Sequence, residues 1–349
     1  MDGQTATSLL TFAETIGPTL RGPEAKAVIG QLEQQYANLL TALQWFIEQG
    51  YTDESLRLAS SLVAFWMATK RLAEGSNWFD QALALPGGDK AHRGRALFDA
   101  GYLAFWMGDD QRSTALQNRA VEFGRQTNNV TITALALVGL ARLALRSHDF
   151  DTARRLCREA LAVTEGTDDQ SGRSSAMHVL GVAAQMAGDF LEAREVMSQR
   201  IALAREMGNL ATVSIESGNL SMVERQLGNL EAAEALAREA LDIDFRRADE
   251  LSIPWKVNAL AAVAKDRGEF DRAASLIGIA DAAMEASGGA WPPDELVHYE
   301  QTVAAASQAI GLAEFERARA WGLSLTTPEG VSFALGTDSP SQASQIDAA

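Results

Sequence analysis

The residues able to do chemistry are few and scattered. The four histidines, His92, His148, His178 and His298, share no neighbourhood along the chain, and Cys157 is the one cysteine. No H-E-x-x-H, C-x-x-C or nucleophile-elbow string sets out metal ligands, a redox pair or an activated serine. The glycine-rich loop that cradles phosphates, G-x-x-x-x-G-K-[ST], is missing too. Pro86-Gly87-Gly88-Asp89-Lys90 comes nearest and lacks both the spacing and the hydroxyl. Acidic pairs such as Asp109-Asp110 and Asp168-Asp169 fall in turns, where capping a helix is their first role, and no third ligand is spaced for a cation. His148 reads as a surface turn residue. Without a convergent acid, base or nucleophile, the sequence predicts no catalytic residue, no metal and no cofactor. The expectation is a protein that binds rather than one that reacts.

The elements that position these residues repeat. Gly108-Asp109-Asp110, His148-Asp149-Phe150, Gly188-Asp189-Phe190, Gly228-Asn229-Leu230 and Gly268-Glu269-Phe270 follow one another at a constant interval, each between two apolar-periodic stretches of helical length. Glycine supplies the left-handed backbone that ends one helix, and the polar residue beside it caps the next. A second turn column, Asn129, Asp169, Asn209, Asp249 and Gly289, separates the pairs. Small residues recur at fixed offsets: Gly101, Ala141, Gly181, Ser221 and Ala261 before the turn, then Ser113, Ala153, Ala193, Ala233 and Ala273 after it. The column Ala120, Ala160, Arg200, Ala240, Ala280 is broken by Arg200 alone. Small side chains let two antiparallel helices approach closely; a large one would force them apart.

An imperfect repeat precedes these. Ala64-Phe65-Trp66-Met67 returns after the same interval as Ala104-Phe105-Trp106-Met107, and the intervening turn, Ala68 to Leu72, reads as carrying two extra residues. Residues 24–49 read as one long helix ending at Gly50, residues 294–320 as another, and Thr326-Thr327-Pro328-Glu329 as the start of a short one. The expected domains are an N-terminal segment, 1–23, whose Leu9, Leu10 and Phe12 need a neighbour in the array or in an upstream domain; a helical repeat domain, 24–336; and a polar, disordered tail, 337–349.

Composition narrows the function classes. With 47% hydrophobic residues among 349, and only 8 prolines, the chain can build a large helical core. A formal charge of −16 disfavours direct contact with nucleic acid or an anionic membrane surface. No apolar run reaches the length of a membrane span. A single cysteine on an apolar helix face reads as a buried, inert thiol and suits a reducing, cytoplasmic setting.

The Leu-Gly pair of the first helix and the Ala of the second, seen best in Leu180-Gly181 and Ala193, resemble the tetratricopeptide pattern. The interval is longer than the usual tetratricopeptide one, and in this it resembles the repeat region of large bacterial regulators of the MalT and AfsR type. Leu32-Glu33 with Trp45 looks like their opening helix, Trp291 with Tyr299 like their closing one, and Trp321-Gly322 through Leu335 like their terminal motif. The resemblance implies an all-α, right-handed α-α superhelix whose first helices line a concave groove. It places Phe98, Tyr102, Phe105, Trp106, Arg142, Arg146, His178, Asn219, Met222, Arg225 and Asn258 on that groove, together with Arg95, Val138 and Trp255. Core packing is the competing account for the Phe-Trp pairs, and a solvated stripe for the arginines. Cations and aromatics within an acidic chain would suit a protein or peptide partner, or a small anionic or aromatic effector. The implied role is the sensor part of a regulator with an NTPase domain upstream; the alternative is a free-standing scaffold.

Overall fold

The computed structural model describes residues 1–21, 25–287, 291 and 293–337, and every regular element among them is helical. The helices gather into two compact units, Met1–Ala187 and Gly188–Ala349. The first holds α1 (Gly3–Ile16), α2 (Ala25–Glu48), α3 (Thr52–Ala68), α4 (Leu72–Ala84), α5 (Lys90–Trp106), α6 (Asp110–Gln126), α7 (Val130–Arg146), α8 (Phe150–Thr164) and α9 (Gln170–Met186). The second holds α10 (Phe190–Glu206), α11 (Leu210–Gln226), α12 (Leu230–Arg246), α13 (Ile253–Asp266), α14 (Phe270–Ser287), α15 (Pro293–Ile310), α16 (Leu312–Leu323) and α17 (Thr327–Leu335).

The turns follow the chemistry of their residues. Gly108, Gly188, Gly228 and Gly268 adopt φ between +78° and +80°, and His148 takes the same role at φ +59°. In three of these turns the next residue caps the following helix, whereas Asn229 makes no cap bond and donates instead to Glu224 at 2.8 Å. Asp109 accepts from the Arg112 N–H at 3.0 Å, Asp149 from Thr152 at 3.0 Å and Asp189 from Glu192 at 3.2 Å. In the second turn column Asn129, Asp169 and Asn209 cap in the same way. Asp249 does not. The chain makes a further turn there before α13 starts at Ile253, and Pro254 sits in the first turn of that helix.

The small-residue columns are where helices cross. All of Ser113, Ala153, Ala193, Ala233 and Ala273 are buried. Two hydroxyls turn back onto the partner helix, Ser113 donating to the Gly101 carbonyl at 2.8 Å and Ser221 to that of Ala233 at 2.7 Å. The closest backbone approach lies in the second unit. A Cβ on Gly278 of α14 would collide with the Arg319 carbonyl oxygen, and one on Gly322 of α16 would collide with that of Ser275.

Three expectations need correction. The turn between α3 and α4, residues 69–71, is no longer than the turn between α5 and α6, residues 107–109. The first repeat is instead two positions short: α3 and α5 begin at Thr52 and Lys90, whereas α5 and α7 begin at Lys90 and Val130. The two Phe-Trp pairs therefore occupy different registers. Phe65 and Trp66 are fully buried, with Gly75 giving way beneath the Trp66 ring, whereas Trp106 is 49% exposed. The stretch 294–320 is two helices, broken at Gly311 with φ +85°.

At the N-terminus α1 packs on α2 and α3, burying Ala6, Leu10 and Ala13, and Glu14 holds Arg57 through two bonds of 2.7 and 2.8 Å. At the other end Thr326 and Glu329 form a capping box on α17. The tail from 338 onward, Gly289 and Pro292 lie outside the described residues.

Candidate functional site

The groove candidates divide between the two units. In the first, Phe98, Tyr102 and Trp106 follow one another a helical turn apart on α5 and form a row, with ring centroids 6.1 Å apart at both steps. Arg95 lies over Phe98 at 5.8 Å and pairs with the buried Asp99 at 2.8 Å, which holds its guanidinium more firmly protonated. A cavity of about 280 Å³ opens beside Arg95 and Phe98, walled by Ile132 and Leu135 of α7.

Arg146 is engaged within the chain. Its guanidinium sits 3.6 Å from the Phe105 ring centroid, donates to the Phe105 carbonyl at 2.8 Å and pairs with Asp110 at 2.5 Å. It is a clamp on the end of α5. Arg142 is half-buried, and its charge acts on Cys157 of α8. Burial is the stronger influence and pushes that thiol up to about 12. Val138, placed on the groove by resemblance, is a core residue. His178 lies half-buried on α9.

The second unit brings four candidates together. Asn219, Met222 and Arg225 descend one face of α11, Asn258 faces them from α13, and all four line one cavity of about 300 Å³. Ile215, Trp255, Lys256 and, from α15, His298 complete its wall. Arg225 is anchored to Asp266 at 3.0 Å, so it presents a fixed charge. The Lys256 ammonium reaches across to α11, 3.5 Å from the Ser214 carbonyl oxygen, and a Cβ on Gly218 would meet it at 2.6 Å. No carboxylate stands among the described lining residues, although the chain carries a net charge of −16.

Behind this wall α11 is packed by polar groups. Glu216 is fully buried and paired with Arg200 of α10; Glu224 holds Arg194 at 2.7 and 2.8 Å; Ser217 donates to Glu239 of α12 at 3.0 Å. Arg200 breaks its small-residue column because it has this partner. The sequence contained the signal: in the two preceding repeats the corresponding positions are both alanine, Ala120 with Ala136 and Ala160 with Ala176. Column matching also finds Ile215 opposite Trp255. Lys256 departs from its column as Arg200 does, whereas His298 follows the repeats and carries no such signal.

No group of three His, Cys, Asp or Glu side chains that could hold a metal ion occurs among the described residues, and none of their helices is long and apolar enough to cross a membrane.

A family model described as the MalT-like TPR region matches residues 140–321, more than half of the chain. The chain belongs to the MalT-like TPR region family. A Mycobacterium tuberculosis protein named as a putative HTH-type transcriptional regulator is 26% identical to this MalT-like region over 171 residues, 46% of this chain and 19% of that protein. A Mycobacterium bovis protein of the same description matches equally. The MalT-like chain thus spans about a fifth of the length of the curated relatives it matches. Among solved structures it resembles a Rap protein complexed with competence and sporulation factor, with a TM-score of 0.56 and 11% identity over 96% of this chain and 99% of that one. It also resembles a signal transduction ATPase with numerous domains (STAND) and a tetratricopeptide repeat sensor from Pyrococcus horikoshii, with a TM-score of 0.53 and 9% identity over 92% of this chain and 55% of that one. At these identities the likeness is one of fold: an all-α, tetratricopeptide-like solenoid.

Proposed function

We propose that this MalT-like TPR region is the non-catalytic sensor part of a larger cytoplasmic regulator, and that its effector or partner is captured at the α11–α13 cavity. One observation carries the reading: Asn219, Met222, Arg225 and Asn258, placed on the groove by the tetratricopeptide resemblance, converge on one concave site with no acidic lining residue described. Ligand sites are concave, largely apolar and furnished with a few fixed polar groups, and this one has that character. The relatives named as transcriptional regulators and the neighbour with a repeat sensor support the regulatory setting. In such a protein an upstream NTPase would be the switch, and DNA contact would fall to another domain.

A thermal-shift screen of metabolites against the native protein and an Asn219→Glu variant tests this. Asn219 is half-buried on the cavity wall, and the substitution places a carboxylate there without breaking an ion pair. A compound or partner that stabilises the native protein and loses that effect in the variant supports the reading. Binding indifferent to the variant sinks it.

The aromatic row of α5 favours a second reading, a scaffold that holds a protein partner. Trp106 is half-exposed at its end, and aromatic residues are enriched in protein interfaces. Trp106→Ala abolishing a pulldown, with no small molecule bound, would favour it.

A further inference from the structure

We infer that the α11–α13 cavity takes a small aromatic acid carrying an N–H donor; this deepens the sensor reading and rests on it. Asn258 carries the inference. It is 2% exposed, it stands among alanines and valines on α13, and its side-chain oxygen has no hydrogen-bond donor among the described residues. Leaving a buried acceptor unmet costs about 1–3 kcal/mol, so a residue kept there calls for a donor from the ligand. A leucine in its place would pack without that cost.

Charge sets the second feature. Arg225 and Lys256 supply two cations to the wall, and no described lining residue is acidic. Lys256 occupies a column that elsewhere holds Ala136, Ala176 and Glu216, all buried, yet its ammonium leaves the helix crossing and lies over Gly218 on the cavity side. Asp266 pairs with Arg225 and the Asp244 carboxyl of α12 feels the Lys256 charge, but neither carboxylate is among the described lining residues, so the wall itself presents only cations to a ligand anion. The third feature is shape and softness. Met222 and Trp255 offer a thioether and an indole, groups that favour an aromatic body over an aliphatic one. A volume of about 300 Å³ is at the small end of ligand cavities, which favours a free acid over several residues of peptide.

Calorimetry on the full chain tests this with indole-3-acetate, its 1-methyl derivative, which lacks the N–H, and indole-3-ethanol, which lacks the charge. The acid should bind at one site, and each analogue should bind at least about tenfold more weakly. Asn258→Leu should erase the discrimination against the methylated acid, and Lys256→Gln the discrimination against the alcohol. Should either variant fail to fold, the three compounds still read both contacts in the native protein. Equal binding of all three, no binding at millimolar concentration, or discrimination that persists in the variants overturns the inference. So does tight binding of the tripeptide Gly-Gly-Trp with none of the free acid, which would move the carboxylate to a peptide terminus. If a neutral or cationic metabolite instead binds in an Asn219-dependent way, the ligand class is wrong and the sensor reading stands.

Discussion

Helices α7 and α11 have the same length, the same kind of cap and the same place in their repeats, yet they are packed by opposite chemistry. Along its buried face α7 presents Ala134, Ala136, Leu137, Ala141 and Ala144; the corresponding residues of α11 are Ser214, Glu216, Ser217, Ser221 and Glu224. Shape is therefore kept between the repeats while the source of adhesion is not. Apolar contact is tolerant of small slides. An ion pair or hydrogen bond is satisfied at one geometry and costs free energy when broken. The helix that lines the α11–α13 cavity is held by such discrete contacts, whereas α7, which walls the cavity beside Arg95 and Phe98, is held by an apolar seam. In the sensor proposed above, such contacts are what would let α11 exchange one arrangement for another; α7 keeps its continuous apolar seam.

The comparison breaks most easily at Arg200. Arg200→Ala takes the guanidinium away from the fully buried Glu216 and should cost about 3–5 kcal/mol by urea unfolding. Adding Glu216→Ala restores the pairing of alanines found at Ala120 and Ala136, and should recover most of the loss. A single variant within about 1 kcal/mol of the native protein would mean that the ion pair contributes little to α11 packing.

A second test compares one column in the two helices. Leu137 of α7 and Ser217 of α11 occupy the same repeat position, and both are buried. Leu137→Ala should cost about 2–5 kcal/mol through the cavity it leaves. Ser217→Ala should cost only about 1 kcal/mol, the worth of its bond to Glu239. Equal losses would show that the two seams are energetically alike despite their chemistry.

Amide hydrogen exchange sharpens the contrast without mutation. Local opening is easiest where buried apolar contact is sparse. Amides in the middle of α11 should exchange at least about tenfold faster than those of α7. Greater protection in α11 would remove the argument that it is the switchable element.

How far the sequence carried this picture depends on what repeats. The turn glycines, caps and small columns were legible because each recurs at a fixed interval and each has a local cause. The groove candidates came from the tetratricopeptide resemblance, and four of them, on α11 and α13, line one cavity. Trp66 and Trp106 look equivalent in the sequence because identical letters return at the common interval and conceal the shorter first repeat; only the helix starts reveal it. Arg146 could not be recognised as a clamp, because its partners Phe105 and Asp110 lie in the previous repeat and no pattern links them. The polar core of α11 was half visible. Arg200 stood out as a break, but its partner had to be sought in the column occupied by Ala136 and Ala176.

The smallest effect concerns Asp244 of α12, which faces α11 where the corresponding residue of α8 is the neutral Thr164. Burial raises its carboxyl above the ordinary value of 3.8, while the Ser214 hydroxyl and the charges of Lys256 and Arg247 pull it back. An acid with a higher pKa in the folded chain than in the unfolded one binds more protons when folded, over the window between the two values. Stability therefore falls as pH rises through that window, and the loss persists at neutral pH. Asp244→Asn should remove it, giving a slightly higher melting midpoint at neutral pH and a flatter stability profile just above pH 3.8. Thermal melts of both proteins across the acid range read this directly. A lower midpoint in the variant would mean that the contact with Arg247, 3.7 Å away, outweighs the lost hydration. In that case the charged packing around α11 is net stabilising, and its contrast with α7 lies in chemistry alone.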